Sequence, residues 1–306
     1  ISIVLGILLA YVSNAAVSAL VPDVASAWRW KLGLTAAPAL LFQLLLAFVP
    51  DSPRWLALRG RRQEAAAASR KLYGHDTDTE SAHAEAAVSK PSLRRLWTEA
   101  PRPLLYAVLL GALNQLTGIN AVLYYLNDIF RAAGFAAVSA DLQSIAVGLA
   151  NFVFTLVGMV LIDRVGRRPL LLVGGFAMAA LLALAAAIML GFLPKALMLA
   201  VLVGFIAAFA VSQGTVIWVY LSEIFPSRFR AAGQAIGAGT IWLFDALVAA
   251  LFPVAAALSP AVPFLFFMLC MLAQGILVYL LFPETKGASL EEIERRMGTA
   301  AGDTAR

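Results

Sequence analysis

The sequence has little charge, histidine or cysteine. Only 13% of its 306 residues are charged, two are histidine and one is cysteine, whereas about a quarter of the residues of a soluble domain are charged. The single cysteine, Cys270, excludes a disulfide framework within the chain. The two histidines, His75 and His83, lie in a polar segment without the spacing of a metal site. We therefore expect no metal ion and no other cofactor.

Enzyme motifs are also missing. The sequence has no Gly-x-x-x-x-Gly-Lys nucleotide loop and no recognisable pair of nucleophile and base. The net charge is +5, but the basic residues lie in short segments between apolar stretches. This distribution is typical of membrane topology and does not form a nucleic-acid-binding face. We therefore expect neither an enzyme nor a nucleic-acid partner.

Apolar residues dominate what remains. They make up 61% of the chain, and the mean hydropathy is +0.85, so lipid must solvate surface that no single soluble core could bury. A helix of about 20 residues crosses a bilayer core about 30 Å thick. The composition predicts an all-α membrane protein with the lipid bilayer as a partner. Eight stretches have the required length: 1–21, 31–50, 103–127, 141–162, 169–192, 196–221, 232–256 and 261–282.

Charge predicts the orientation of these stretches. The polar segment 51–102 is rich in arginine, and placing it in the cytoplasm puts most of the other Lys and Arg residues on the same side. Within it, the Ala-rich run Arg61–Tyr73 and the stretch from Pro91 favour short helices. We expect these helices to link two groups of membrane helices.

Five motifs, in order along the chain, resemble those of the sugar porters of the major facilitator superfamily. They are Pro50-Asp-Ser-Pro-Arg-Trp-Leu, Gln115-Leu-Thr-Gly-Ile-Asn-Ala-Val-Leu-Tyr-Tyr, Asp163-Arg-Val-Gly-Arg-Arg-Pro, Trp218-Val-Tyr-Leu-Ser-Glu-Ile-Phe-Pro and Pro283-Glu-Thr-Lys-Gly. The resemblance implies the major facilitator fold, in which eight of twelve transmembrane helices, the fifth to the twelfth, are present. Because the chain opens on Ile1 within an apolar stretch, we expect an N-terminally truncated chain.

The resemblance also divides the chain into four parts. Residues 1–50 correspond to the last two helices of the N-terminal half, and 51–102 to a cytoplasmic helical linker. Residues 103–282 correspond to the six-helix C-terminal half, and 283–306 to a cytoplasmic tail. A multi-pass protein of the plasma or bacterial inner membrane is expected.

Several polar side chains fall near the middle of predicted spans. Gln115 and Asn151 each lie about 18 Å from the cytoplasmic end of their helix, a depth at which secondary transporters hold their cargo. The resemblance implies that five residues contact sugar or lie beside it: Gln115, Asn120, Asn151, Trp218 and Trp242. The alternative is hydrogen bonding between helices.

Four further positions in the predicted spans are candidates for the site. Asn114 stands where the family usually has glutamine, and its shorter side chain favours a water-mediated contact. Asp245 is the one acid deep in a predicted span; it binds cargo, titrates during transport or bonds a neighbouring helix. Tyr124 and Tyr125 are candidate gates on the outer side, with packing in the interfacial aromatic belt as the alternative.

A group of charges is predicted at the cytoplasmic helix ends. The resemblance implies a latch whose ion pairs form when the cavity faces outward and separate when it opens inward. The alternative is that these charges only set topology and cap helices. The candidate residues are Asp163, Arg167, Arg168, Glu223, Arg228 and Arg230.

The resemblance implies secondary transport of a monosaccharide by alternating access, either facilitative or coupled to protons. Departures from the family pattern at Asn114, Ala210 and Ile241 keep a polyol or another polyhydroxylated solute open as the cargo. A nonfunctional truncated fragment is the other alternative. A sugar sensor is disfavoured because the predicted tail is short.

Overall fold

The computed structural model describes residues 2–21, 24–75, 93–134, 137–226, 229–288 and 292. Every regular element within those ranges is helical, as the apolar stretches predict. Two compact units are present: residues 17–92 form one, and residues 1–16 together with 93–306 form the other. His83 and Arg228 lie outside the described residues, as does most of the predicted tail.

Seven helices in the described part of the chain are long and apolar enough to cross a membrane. The predicted stretch 31–50 lies largely within another helix, Val24–Leu46, which is 23 residues long but is not apolar enough to be one of these seven. Arg29 and Lys31 near its start lower its hydropathy. The seven are Ser2–Leu20, Pro101–Tyr124, Leu142–Val165, Arg167–Met189, Lys195–Glu223, Arg230–Leu258 and Val262–Leu281.

The smaller unit consists mostly of three helices that follow helix α1 (Ser2–Leu20): α2 (Val24–Leu46), α3 (Pro53–Leu58) and α4 (Arg62–Tyr73). The predicted helix over Arg61–Tyr73 is thereby confirmed. Leu56 and Ala57 of α3 pack against alanines of α4 in a small apolar core. At the start of α4, the guanidinium of Arg61 donates to Glu64 at 2.6 Å and holds the pKa of that carboxyl below its usual range.

The larger unit contains the remaining helices. They are α5 (Leu93–Glu99), α6 (Pro101–Gln115), α7 (Ile119–Tyr124), α8 (Leu126–Ala132), α9 (Ala137–Val165), α10 (Arg167–Met189), a 3₁₀ turn (Lys195–Leu197), α11 (Met198–Val211), α12 (Gln213–Glu223), α13 (Arg230–Leu258) and α14 (Val262–Leu281). The pairs α10–α14, α9–α11 and α6–α13 pack most extensively. Small residues allow this approach: a Cβ added to Gly111 of α6 would lie 3.0 Å from the carbonyl oxygen of Gly237 in α13.

Two of the predicted spans are interrupted. Residues 103–127 are not one helix, because α6 ends at Gln115 and α7 begins at Ile119, with Gly118 at φ +80° between them. No interruption occurs at Pro253, since α13 continues to Leu258. The second break, at Ser212 between α11 and α12, was not predicted.

Candidate functional site

The break between α6 and α7 positions the first group of polar side chains. Thr117 Oγ1 donates to the carbonyl oxygen of Asn114 at 2.8 Å and accepts the N–H of Ile119 at 3.1 Å. The N–H of Gly118 reaches the carbonyl oxygen of Gln115 at 2.9 Å. Backbone groups at membrane depth need such internal partners. The hydrogen bonds of the irregular turn are therefore satisfied within the protein, and the turn joins Asn114 and Gln115 in the last turn of α6 to Asn120 in the first turn of α7.

Six side chains from four helices form a continuous set of hydrogen bonds, which we call the polar network. Asn114 Nδ2 donates to Gln213 Oε1 at 3.3 Å, and Gln115 Nε2 donates to Asn114 Oδ1 at 3.2 Å. Asn120 Nδ2 then donates to Gln115 Oε1 at 3.1 Å. The network thus connects α6 and α7 to α12. Its members are Gln213, Asn114, Gln115, Asn120, Asp245 and Tyr124.

Asp245 of α13 completes the polar network. Its carboxylate accepts Asn120 Nδ2 at 2.8 Å on one oxygen and the hydroxyl of Tyr124 at 3.3 Å on the other. An ionised carboxylate can only accept, so it fixes the amide of Asn120 with nitrogen towards Asp245. Both N–H groups of Asn120 are then used, and its Oδ1 stays available to accept a hydrogen bond from a bound hydroxyl.

The members of the polar network differ in how accessible they are. Asn114, Gln115, Gln213 and Asp245 are buried, whereas Asn120 is half-buried. Buried amides that bond one another stabilise the contact between helices. Asn120 is therefore the most accessible amide of the polar network, and the hydrogen bonds of Asn114 and Gln115 orient it.

Three aromatic side chains project from this unit. Trp218 is 47% exposed, Trp242 62% and Tyr124 58%. Trp242 lies one helical turn before Asp245 on α13. Tyr125, the other candidate gate, stacks on Phe252 with ring centroids 5.0 Å apart and donates to the carbonyl oxygen of Ala249 at 3.1 Å. The two tyrosines thus attach α7 to α13, and only Tyr124 reaches the polar network.

Two residues differ from the sequence-based expectation in their surroundings. Asn151 on α9 is buried, and among the described residues no hydrogen bond joins its side chain to the polar network. Gln213 was missed as a site residue although it is fully buried and bonded to Asn114. A glutamine within the predicted span 196–221 was the available signal.

A second cluster forms where α9, α10, α12 and the segment after α14 meet. Arg167 binds Glu223 with two hydrogen bonds, from Nη2 at 2.8 Å and from Nε at 3.2 Å. Its Nη1 also reaches the carbonyl oxygen of Ile162 at 3.0 Å and Asp163 at 3.3 Å. The Arg167 side chain is only 11% exposed, so these bonds are weakly screened by solvent.

The segment after α14 closes this cluster. Glu284 accepts the backbone N–H groups of Arg167 and Arg168 at 3.0 Å each, and so caps the N-terminus of α10. Arg168 itself donates to the carbonyl oxygen of Tyr279 at 2.6 Å. Thr285, which sequence reasoning did not select, donates to Glu223 at 2.6 Å. Arg230 lies beside them, lining an open cavity of about 340 Å³ with Arg167, Ser222, Glu223, Thr285, Gly287 and Ala288.

Known proteins are similar to this chain in both sequence and fold. The model of the family described as "Sugar (and other) transporter" matches residues 1–297. The glucose facilitated diffusion protein of Zymomonas mobilis is 37% identical over 282 residues, which cover 88% of this chain and 59% of the relative. The D-xylose-proton symporter of Escherichia coli is 34% identical over 281 residues, covering 87% and 56%.

Solved structures agree with this result. The proton:xylose symporter XylE bound to 6-bromo-6-deoxy-D-glucose superimposes with a TM-score of 0.78 at 31% identity, covering 96% of this chain and 65% of that one. An inward-open XylE from E. coli gives 0.80 at 30% identity, covering 96% and 63%.

The chain therefore belongs to the sugar (and other) transporter family, the sugar porters of the major facilitator superfamily. It is a multi-pass membrane protein, and its relatives are transporters. The chain spans 59% of the length of the Zymomonas protein.

Proposed function

We propose that the protein moves a monosaccharide across the membrane by alternating access, has no enzymatic activity and needs no cofactor. The observation that carries this proposal is the polar network, which joins an amide, a carboxylate and a phenol from α7 and α13, with the exposed Trp242 one helical turn before the carboxylate on α13. Sugars present hydroxyls that donate and accept, together with apolar ring faces. Amides and carboxylates match the hydroxyls, and indole rings cover the faces.

In this proposal the site residues have different roles. Asn120 and Asp245 bind hydroxyls directly, Trp218 and Trp242 cover the ring of the sugar, and Asn114 and Gln115 hold Asn120 in place. Asn151 lies on α9 and supplies a further amide. Tyr124 closes the outer side as a gate, whereas Tyr125 anchors α7 through its bond to Ala249.

The charge cluster serves as the cytoplasmic latch. Arg167 and Glu223 form its centre, with Asp163 and Arg168 beside them and Arg230 at the adjoining cavity; Arg228 is assigned to it from sequence alone. Charge pairs at helix ends can form in one state of a transporter and separate in another, which biases the two-state equilibrium. Transport is facilitated diffusion or symport with protons; the family contains relatives named for each.

Uptake into proteoliposomes tests the proposal. The full product of the gene that encodes this chain is reconstituted and given labelled D-glucose or D-xylose. Asn120→Ala is expected to reduce uptake at least about tenfold, because it removes the acceptor for cargo and the hydrogen bond that holds Asp245. Gln234→Ala, an amide on α13 outside the polar network, is the matched control. Undiminished uptake by Asn120→Ala would refute the assigned site. Residues 1–306 reconstituted alone test the alternative of a nonfunctional fragment.

A polyol is a second candidate cargo. Ala210 and Ile241 offer no polar group where many sugar porters have one, which lowers the number of hydroxyl contacts. The probable polyol transporter 4 of Arabidopsis thaliana is 36% identical over 309 residues. Competition of sorbitol, xylitol and myo-inositol against labelled glucose separates the two: stronger competition by a polyol than by unlabelled glucose favours the second cargo.

A further inference from the structure

Asp245 is isolated from positive charge. Within the seven candidate spans, every other Asp, Glu, Lys or Arg lies at or near a helix end, whereas Asp245 lies at the middle of α13. The ion pairs of the described residues do not include it. A charged side chain at this depth is costly unless an opposite charge accompanies it.

The two partners of Asp245 are neutral donors. Asn120 contributes one N–H at 2.8 Å and Tyr124 one O–H at 3.3 Å. Each carboxylate oxygen accepts more than one hydrogen bond, so both keep free acceptor capacity. Neutral donors lower the cost of burying the carboxylate but leave its charge uncompensated. The arrangement holds an anion in place and leaves room for a further, positively charged donor.

Exposed side chains border this carboxylate, which is itself 8% exposed. The Tyr124 side chain that contacts it is 58% exposed, and Asn120 is half-buried, with an Oδ1 that accepts no hydrogen bond from the described residues. Trp242, one turn away on the same helix, is 62% exposed and offers an indole face. The carboxylate, the acceptor oxygen of Asn120 and an indole face therefore all lie on α7 and α13.

We propose that the site selects monosaccharides carrying a protonated amino group, that is, hexosamines with a free amine. The ammonium group donates to Asp245 and neutralises it, while a neighbouring hydroxyl donates to Asn120. This inference rests on the proposed function and specifies its substrate class. Charge-assisted hydrogen bonds are roughly twice as strong as neutral ones. We therefore expect an advantage of about tenfold over the neutral sugar, the ratio that corresponds to about 1.4 kcal/mol.

A three-solute comparison tests the inference. The full gene product, purified, is titrated with D-glucosamine, N-acetyl-D-glucosamine and D-glucose by isothermal calorimetry, and uptake of each is measured in proteoliposomes. The three share a skeleton and differ at one substituent, which is an ammonium, an amide or a hydroxyl. D-glucosamine is expected to bind about tenfold more tightly than either neutral solute.

Variants assign the effect to the carboxylate. Asp245→Asn keeps the size of the side chain and removes the charge, so D-glucosamine should lose about tenfold more affinity than D-glucose, and the ratio of their affinities should fall to about one. Asp245→Glu keeps the charge and should keep a preference. Asp128→Asn, at an exposed acid on α8 that pairs with Arg131 at 3.7 Å, is the matched control and should leave the preference unchanged. Thermal unfolding checks that each variant is folded.

The outcomes separate the two proposals. D-glucose that binds as tightly as D-glucosamine to the unmutated protein, or a preference that survives in Asp245→Asn, overturns the inference and leaves monosaccharide transport standing. Failure of all three solutes to bind contradicts both. A preference for D-glucosamine that Asp245→Asn abolishes and Asp128→Asn preserves supports both.

Discussion

The ion pair between Arg167 and Glu223 should stabilise the larger unit measurably. The pair is bidentate, at 2.8 and 3.2 Å, and its side chains are 11% and 26% exposed. Exposed pairs contribute about 0–1 kcal/mol, whereas a hydrogen bond between charged groups contributes about 1.5–3 kcal/mol. Because both side chains are mostly buried, we expect the coupling free energy to fall in the higher of these two ranges, at about 2 kcal/mol.

A double-mutant cycle measures this coupling free energy. Arg167→Ala, Glu223→Ala and the double variant are unfolded with denaturant in mixed micelles, and the free energies of unfolding are compared. Each single variant should be destabilised by more than the coupling alone, since it leaves a partly buried charge behind. Asp163 and Thr285 keep partial contacts with the remaining partner, and so reduce that penalty.

The chain offers a matched control for this cycle. Arg131 and Asp128 also form a pair between an arginine and a carboxylate, but its atoms are 3.7 Å apart and its side chains are 58% and 68% exposed. Its coupling should be below about 0.5 kcal/mol. Equal couplings for the two pairs, or a value near zero for Arg167 and Glu223, would refute the reasoning that burial and bidentate geometry set the strength of this ion pair.

Two further substitutions test the packing around the site, each by the free energy of unfolding. Gln274→Leu should raise the free energy of unfolding by about 1–3 kcal/mol, because Gln274 is fully buried and neither amide atom has a partner in the described part of the chain. Gln213→Leu, which removes a bonded amide, should lower it. A lower free energy of unfolding in Gln274→Leu would contradict the prediction. Gly118→Ala should lower the free energy of unfolding by about 2–5 kcal/mol, since the φ of Gly118 is +80° and the new Cβ would lie 2.2 Å from Phe267. Gly239→Ala is the control, because a Cβ added at Gly239 would meet no atom within 4 Å. Equal losses of stability in the two variants would contradict the prediction.

The helices and the family could be predicted from sequence because their signals are local. Hydropathy is a sum over contiguous residues, so the runs that became α9, α10, α13 and α14 are visible without knowledge of their neighbours. Gly118 also acts locally, since only glycine readily adopts its φ of +80°. The break at Ser212 was missed, and it lies at a tertiary contact that the sequence does not reveal: Ser212 lies against Gly174 of α10, where an added Cβ would meet its Oγ at 2.0 Å.

The hydrogen-bond partners within the site could not be predicted in this way. Asn120 and Asp245 are 125 residues apart, and Asn114 and Gln213 are 99 apart. Whether such side chains meet depends on the rotation and depth of each helix. Asn151 shows the opposite case, since it was predicted at the same depth as Gln115 and lies outside the polar network. Thr285 joins the latch only because the chain after α14 turns back towards Glu223.

The sequence alone determined that this is a helical membrane protein of the sugar porter family, because lipid solvation demands long apolar runs and the family motifs are contiguous. The tertiary structure decided which polar groups satisfy one another. It buried Asn114 and Gln115 in mutual hydrogen bonds, left Asn120 accessible and placed Asp245 among neutral donors. The physical reason is that a buried polar group must find its partner wherever packing brings one, and packing is a property of the whole fold.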